Sequence, residues 1–333
     1  MNFWYKWLLF MLFIGSSNSL SSYEIALGQR FYWIDVIYLS ILIVSGVLFN
    51  LFVPIAIYID RSLLTSSNIL ILNIIFADLI VCGYVIPVIL ANRILDTNVM
   101  GTIGCQFNSF LTFLSMGISN SIFMIISLDR YLFIFYRCTH TRWFTIKRIT
   151  IFLIIIWALW FAYGTSLTFM RGFEYEIEGY ICFFSDEIVS MAFTIMLIIF
   201  NFILPICVSL CFYIILLIKL RRVKNVIFKE KGDNIKVSDS QNNRQEMKTI
   251  ILLIITMATF VICWGPYAFH IFVLNNNIDI NNMFHKIIHW APISNSTFNG
   301  WLFGIMNSRY RKAIKKRFFH KNRIHESKIK TIN

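Results

Sequence analysis

Long apolar runs separated by short polar segments dominate the chain. They cover Ile34–Ile59, Asn68–Ala91, Gly104–Tyr136, Ile149–Phe169, Ile188–Ile218, Thr249–Leu274 and Phe284–Met306. A helix needs about 20 predominantly apolar residues to cross the hydrocarbon core of a bilayer, so the pattern predicts an all-α membrane protein with seven spans. The third run organises the rest. Between Cys105 and Asp129 it holds no ionisable side chain, and about 25 helical residues rise roughly 37 Å. A cysteine thus sits at one membrane face and Asp129-Arg130-Tyr131 at the other. Ser115, Ser119, Asn120 and Ser121 lie between them. Lipid offers such groups no partners, so this helix is expected at the centre of a bundle.

The flanking segments read differently. Residues 1–22 carry Lys6, an apolar Trp7–Ile14 too short to span, then Gly15-Ser16-Ser17-Asn18-Ser19. That is a signal-peptide pattern with a small-residue cleavage site; an uncleaved, partly buried segment is the plainer alternative. Residues 23–33 form an outer N-terminus with no Asn-x-Ser/Thr sequon, so no glycan is expected there. Lys219–Lys248 is polar and poor in aromatics, the composition of a mobile loop. After Met306, Tyr310, Ala313, Ile314 and Phe318 alternate with Arg311, Lys312, Lys315, Lys316 and Arg317. This spacing predicts an amphipathic helix on the inner leaflet. No long internal repeat and no catalytic motif stands out, so an enzyme is not expected.

Composition and charge fix the topology. Hydrophobic residues make up 58% of 333 and charged residues 14%, with 33 Phe, which excludes a soluble domain. The formal net charge is +13, and its placement carries the information. Tyr131–Arg148 has four bases and no acid, Lys219–Lys248 nine bases and four acids, and Arg309–Asn333 ten bases and one acid. Met170–Glu187 has one base against five acids. The positive-inside rule puts the first three segments in the cytoplasm and the fourth, with the N-terminus, outside. Beside so many spans, the basic tail reads as contact with anionic inner-leaflet lipid and not as a nucleic-acid patch. Seven cysteines are too scattered for a disulfide scaffold. Cys82, Cys207, Cys211 and Cys263 fall within apolar runs as small hydrophobes. Cys105 and Cys182 fall on the outer side, where disulfides persist, and are expected to pair.

The third run, from Gly104-Cys105-Gln106-Phe107 to Asp129-Arg130-Tyr131, resembles the third helix of rhodopsin-like (class A) G-protein-coupled receptors. The resemblance implies a seven-helix receptor domain over residues 34–306, with an amphipathic eighth helix and basic tail over 307–333. It also gives meaning to polar residues inside the spans. Span one holds Gly46 and Asn50, and span two holds Asp78. A carboxylate in mid-membrane is costly and marks function, unless it is a neutral, hydrogen-bonded structural acid. Family equivalents of Asp78, Ser119, Asn295, Ser296 and Asn299 line a sodium pocket, which implies an allosteric sodium ion held at Asp78. Trp157 matches the family's tryptophan in span four. Trp264 and Phe260 match its activation switch, above a kink at Pro266 where a backbone hydrogen bond is lost. Asp129 and Glu246 match the acids that hold Arg130 when the receptor is inactive, with Tyr131 completing the triplet. The implied ligand pocket comprises Thr112, Met116, Asn201, Trp264, Tyr267, His270, His289 and Trp290.

Departures from the family are specific. Its Asn-Pro-x-x-Tyr in span seven is here Asn299-Gly300-Trp301-Leu302-Phe303. Glycine can also bend a helix, but Phe303 lacks the hydroxyl that the family bridges through water to the equivalent of Tyr213. Ile293 stands where opsins carry the retinal-binding lysine, so no Schiff base forms and no retinal is expected. Thr112 stands where amine receptors carry an aspartate. A finer resemblance, over spans two to seven, is to melatonin receptors. It rests on Cys105-Gln106-Phe107, on Arg171-Gly172 followed by Tyr180-Ile181-Cys182, on Asn201 ahead of Pro205, and on Asn295-Ser296 ahead of Asn299-Gly300. The residues that would hold melatonin are altered: Thr168 replaces an asparagine, Glu174 a glutamine and Asn201 a histidine. The resemblance therefore implies the receptor fold and not the ligand.

The expected protein is a multi-pass plasma-membrane receptor that binds an extracellular ligand and activates a heterotrimeric G protein. A receptor fold without G-protein coupling is the alternative that Phe303 raises. A seven-span transporter would tend to show repeated, interrupted helices, and a light-driven pump would need the missing lysine.

Overall fold

The computed structural model describes residues 22–170, 172–177, 179–184, 195–196, 198–229, 237–269 and 282–317, without the side chains of 22–31, 176, 184, 220, 222–229, 237–246 and 282–285. The expected signal sequence lies outside the described residues but for its last position. The chain divides into two compact units, residues 1–38 and 39–333. In the first, Tyr32 and Trp33 meet edge to face at 5.3 Å.

Span one is Ser22–Ile59, span two Ser66–Leu95, span three Gly101–Phe135 and span four Ile146–Phe169. Span five begins with a π turn, Ile199–Ile203, and continues as Leu204–Lys229. Span six is Val237–Phe269, and span seven is Asn282–Trp301 with a π turn at Leu302–Met306. Six of these contain stretches long and apolar enough to cross a membrane. Span seven is more polar because Ser294, Asn295, Ser296, Thr297 and Asn299 all turn inward and are buried.

Local chemistry sets the ends. Thr65 accepts a hydrogen bond from the Asn68 amide at the start of span two, and Thr145 does the same for Arg148 in span four. Asp96, in the left-handed region at φ 52°, terminates span two. Between spans one and two, Asp60 accepts from both the hydroxyl and the amide of Ser62, which holds its carboxyl below the usual range. The polar segment read as a mobile loop is shorter than its composition indicates. Span five runs through Lys229 and span six starts at Val237, because Gln241, Arg244, Gln245, Glu246 and Lys248 are good helix formers. Residues 308–317 form the expected terminal helix. Its Tyr310 and Ala313 are buried, and the Tyr310 hydroxyl donates to Asn68 Oδ1 at 3.0 Å.

Span three is the centre. Of its most apolar window 72% is buried, against 17% for span four, so one helix packs inside the bundle and the other faces lipid. Spans two, four and five all pack on span three. Span four approaches closely because Gly117 has no side chain: a Cβ there would lie 2.3 Å from the Trp160 ring. The indole of Trp160 in turn donates to Ser121 at 2.8 Å. The helices are not regular throughout. Pro205 has no N–H to offer the Asn201 carbonyl, and Asn120 Nδ2 takes that carbonyl at 2.8 Å. A third π turn, Val81–Val85, precedes Pro87 in the same way.

Outside the spans, a short helix, Arg137–Trp143, follows span three. On the outer side, β1 (Phe173–Glu176) pairs antiparallel with β2 (Ile181–Phe184), in a register that sets Tyr175 opposite Cys182.

Candidate functional site

The outer site is built beneath the hairpin. Cys182 of β2 is disulfide-bonded to Cys105 of span three, with Cα atoms 5.3 Å apart, as its position in the sequence predicts. Further bonds fix the hairpin on three spans. Ser109 donates to the Cys182 carbonyl at 2.5 Å, and Gln106 Nε2 donates to the Phe173 carbonyl. Asn92 donates to the Tyr180 carbonyl at 3.1 Å, and Trp290 Nε1 to the Gly179 carbonyl at 2.8 Å. So held, β2 presses Phe183 against Tyr267 at 4.3 Å and against His289 at 5.6 Å between ring centres.

Below Phe183 lies a cavity of about 10 Å³, lined by Ser109, Thr112, Phe113, Met116, Phe173, Phe183 and Trp264. No side chain in that lining is ionisable. Thr112 is occupied within its own helix, donating to the Asn108 carbonyl at 3.0 Å. Trp264 packs on Phe260 and Phe202 at 6.1 and 5.9 Å. Thr112, Met116 and Trp264 thus line this cavity, Tyr267 and His289 border it through Phe183, and Trp290 is buried beside them on the Gly179 carbonyl. Asn201 is not among them. It lines a cleft of about 420 Å³ with Ser121, Trp160, Tyr163 and Pro205, between spans four and five. His270 lies outside the described residues. Of the positions altered from melatonin receptors, Glu174 is exposed on β1, and Thr168 donates back to the Gly164 carbonyl at 3.0 Å.

Trp264 is shared with a second cavity of about 10 Å³ beneath it, lined also by Asp78, Ser115, Ser119, Phe260, Asn295 and Ser296. That volume suits about one water-sized sphere. Asn299 Nδ2 donates to Asp78 Oδ2 at 3.1 Å. Among the described residues, Ser119 Oγ, Asn295 Oδ1 and Asn299 Oδ1 are buried with no hydrogen-bond partner. The five residues expected around a sodium ion thus fall together, and three of their oxygens are unused. Ile293, where a retinal lysine would stand, is buried in the same wall. Asn50 braces the site from span one, donating to the Ser296 and Gly46 carbonyls at 3.0 and 2.8 Å. Trp157 Nε1 donates to Asn73 Oδ1 at 3.2 Å, tying span four to span two.

At the inner end, the Asp129 carboxylate is fully buried and meets three donors. Arg130 Nη2 and His140 Nε2 each lie 2.8 Å away, and Ser67 Oγ lies 2.7 Å away. Tyr131 packs between Phe135 and Phe212, both at 4.9 Å. Glu246 sits on span six, with its side chain outside the described residues. Among the described residues the buried Tyr213 hydroxyl has no hydrogen-bond partner, and Phe303 stacks on Phe123 at 6.3 Å. Pro266 lies inside span six, as expected. Sequence reasoning missed Ser67 and His140. The available signal was chemical: a fully buried carboxylate requires more than one donor, and both residues lie at the same membrane face.

A buried helix carrying an Asp-Arg pair at its inner end, a polar chamber in mid-membrane and a disulfide-anchored lid define a heptahelical receptor. Residues 49–303 match the sequence profile of the 7 transmembrane receptor (rhodopsin family), and the chain belongs to that family. Among similar proteins, melatonin receptor type 1A of Gallus gallus is 27% identical over 82% of this chain and 77% of its own length. Melatonin receptor type 1B-B of Danio rerio is 26% identical over 90% of this chain and 87% of its own. Melatonin receptor type 1C of Gallus gallus is 26% identical over 84% and 80%. The protein is a multi-pass receptor of the plasma membrane that binds an extracellular ligand and couples to a G protein; it is not an enzyme.

Proposed function

We propose that the receptor, with its N-terminus outside, responds to a small uncharged ligand bound beneath the hairpin, and that a sodium ion at Asp78 favours its inactive state. One observation carries the ligand class: among the described residues, the chamber between Phe183 and Trp264 is lined by uncharged side chains. A cationic amine would enter it without a counter-ion, at a large desolvation cost. Melatonin is neutral, as this reading requires, but the altered Thr168, Glu174 and Asn201 argue for a different neutral molecule. Entry requires the hairpin to yield, since Phe183 fills the space above Thr112.

Asp78, Ser119, Asn295 and Asn299 would hold the ion. Three unpartnered oxygens beside a carboxylate suit a hard cation, which supplies charge compensation in mid-membrane. Arg130, held by Asp129 and, on the family pattern, by Glu246, would be released on activation to face the G protein. The basic segments would rest on anionic lipid of the inner leaflet.

A screen of neutral and cationic lipophilic compounds, read through a promiscuous G protein, tests the ligand class. Neutral agonists are expected, with responses lost in Thr112→Trp at matched surface expression. Potency confined to cationic amines would overturn this reading.

A further inference from the structure

The inner end of span three meets a titratable group that the release of Arg130 does not by itself explain. His140 sits in the middle of the short helix Arg137–Trp143. Its Nε2 lies 2.8 Å from Asp129 Oδ1, while Arg130 and Ser67 share Oδ2 at 2.8 and 2.7 Å. The two oxygens of one buried carboxylate are thus divided between a histidine and an arginine–serine pair. Packing fixes the imidazole in this role. Its ring stacks on Phe144 at 5.2 Å, with the planes 7° apart, and meets Phe133 edge to face at 5.2 Å. The His140 amide donates to the Tyr136 carbonyl at 2.9 Å, and the Tyr136 amide to the Leu132 carbonyl at 2.8 Å. The short helix is therefore carried by span three and keeps its place beside Asp129. The His140 side chain is 13% exposed and that of Asp129 is fully buried, so the histidine is the one in reach of cytosolic protons.

Among the described residues, Asp129 is the anion facing the ring. The cations around it are Arg130 and Arg137, which lie over the Phe133 ring at 5.8 and 4.3 Å from its centre. Span two contributes Ser67, which is uncharged. On span four, Arg148 turns to the Arg142 carbonyl and the Trp143 ring, and Lys219 of span five lies over the Phe135 ring at 4.0 Å. We propose that His140 is a positioning residue for G-protein coupling: in its protonated form it keeps the Asp129 carboxylate neutralised once Arg130 leaves, so that coupling strengthens as the cytosolic pH falls. This rests on the release of Arg130 proposed above and adds the group that stabilises the charge left behind. A buried carboxylate that loses its cation is strongly destabilised. A neutral imidazole still donates one hydrogen bond to it, whereas an imidazolium donates a charge-assisted one, roughly twice as strong. The face of Phe144 also favours a cation stacked on it. The departure of Arg130 removes a positive charge that opposes the protonated ring. His140 thus holds its proton more tightly in the coupled state, activation takes up a proton, and low pH favours activation. Imidazole changes charge between about pH 5 and 8, the range a cell visits.

The test measures the affinity of purified, nucleotide-free heterotrimeric G protein for the full-length receptor in phosphatidylcholine discs between about pH 6 and pH 8, using the best-binding member of a G-protein panel. Glutamine keeps a neutral donor and cannot take the proton. The affinity of wild type relative to His140→Gln should rise by roughly five- to tenfold from the upper to the lower pH, the gain of a charge-assisted bond over a neutral one. Taking the ratio cancels any pH dependence of the G protein itself. His140→Arg, with a fixed cation, should bind tightly and follow the shallow profile of His140→Gln. In an Asp129→Asn background, His140→Gln should have no pH-dependent effect. A ratio that stays constant, or falls at low pH, overturns the inference. A steep profile shared by wild type and His140→Gln but lost in Asp129→Asn puts the proton on Asp129 itself and overturns it as well. Thermal midpoints identify a variant that fails to fold; should His140→Gln fail, the ratio of wild type to His140→Arg decides in the same way. No binding by any member of the panel at any pH removes the coupling reading beneath the inference, and the inference with it. Binding with a flat ratio removes the inference alone.

Discussion

Phe303→Tyr isolates the departure that most affects signalling. Phe303 is almost fully buried, stacked on Phe123, and Tyr213 in the same apolar cluster holds a buried hydroxyl without a hydrogen-bond partner among the described residues. A hydroxyl added to Phe303 acts on both ends of the activation equilibrium. In the arrangement described here it enters an apolar wall, and an unsatisfied buried hydroxyl costs about 1–3 kcal/mol. In the family's active state it is bridged through water to the equivalent of Tyr213, a bond contributing about 0.5–1.5 kcal/mol. The two effects have the same sign. Their lower ends sum to about 1.5 kcal/mol, roughly tenfold in the ratio of active to inactive receptor. The assay is G-protein nucleotide exchange at matched surface expression, for wild type, Phe303→Tyr, Tyr213→Phe and the double variant. Basal and maximal exchange should rise in Phe303→Tyr and fall back in the double variant. Equal exchange in wild type and Phe303→Tyr would refute the reasoning, and a rise that survives loss of the Tyr213 hydroxyl would show that the bridge is not its cause.

Three further outcomes are expected. Cys105→Ala frees the hairpin and should lower stability by about 2–5 kcal/mol, read as a fall in thermal midpoint; a mass map of surface protein with both thiols free would remove the premise. Sodium should raise the thermal midpoint of the purified receptor over the same concentration of a bulky organic cation, and Asp78→Asn should abolish the difference; a sodium effect that persists in Asp78→Asn puts the ion elsewhere. Gly300→Pro, which restores the family's residue, should destabilise by about 1–3 kcal/mol through overpacking, because a Cβ at that position lies 2.7 Å from Asn50 Cγ. A neutral or stabilising Gly300→Pro would mean that Asn50 yields freely.

What the sequence made legible follows from how strongly each feature is forced. Lipid tolerates no unpaired backbone, so the spans appear as apolar runs and their number and order are readable. The centrality of span three was readable because its serines and asparagine need protein partners. The disulfide was readable from the topology of two cysteines. The hairpin left a weaker trace: Phe173 and Tyr175 alternate with Glu174 and Glu176, the period of a strand, within a loop notable chiefly for its acidity. The π turns were not readable. Pro87 and Pro205 show that a backbone ladder breaks, but not that the chain repairs it by widening a turn. Such a turn adds one residue and rotates the helix face by about 100°. Asn201 lies within one of these turns and lines the cleft beside span four instead of the central chamber.

Span seven shows how the missing proline is accommodated. A proline at position 300 would have no N–H for the Ser296 carbonyl, which would then need an outside donor. Gly300 keeps its N–H, yet Asn50 still donates to the Ser296 carbonyl at 3.0 Å. The brace from span one therefore does not depend on a broken ladder; it depends on close approach, which the absent Cβ of Gly300 permits. The irregularity moves inward instead, to the π turn Leu302–Met306, and this turn carries Phe303 into the apolar cluster around Phe123. On the chamber side of Gly300, Asn299 bonds Asp78 beneath the floor formed by Trp264. On the inner side, Phe303 packs on the same span three that presents Arg130. Span seven thus has a polar attachment above Gly300 and an apolar one below it. A change at Trp264 that alters the Asp78 chamber reaches Arg130 only if both attachments shift together, and the lower one lacks the hydroxyl that would reward the shift. Ligand binding, with release of the ion proposed at Asp78, must then supply what a tyrosine at 303 contributes in other members of the family.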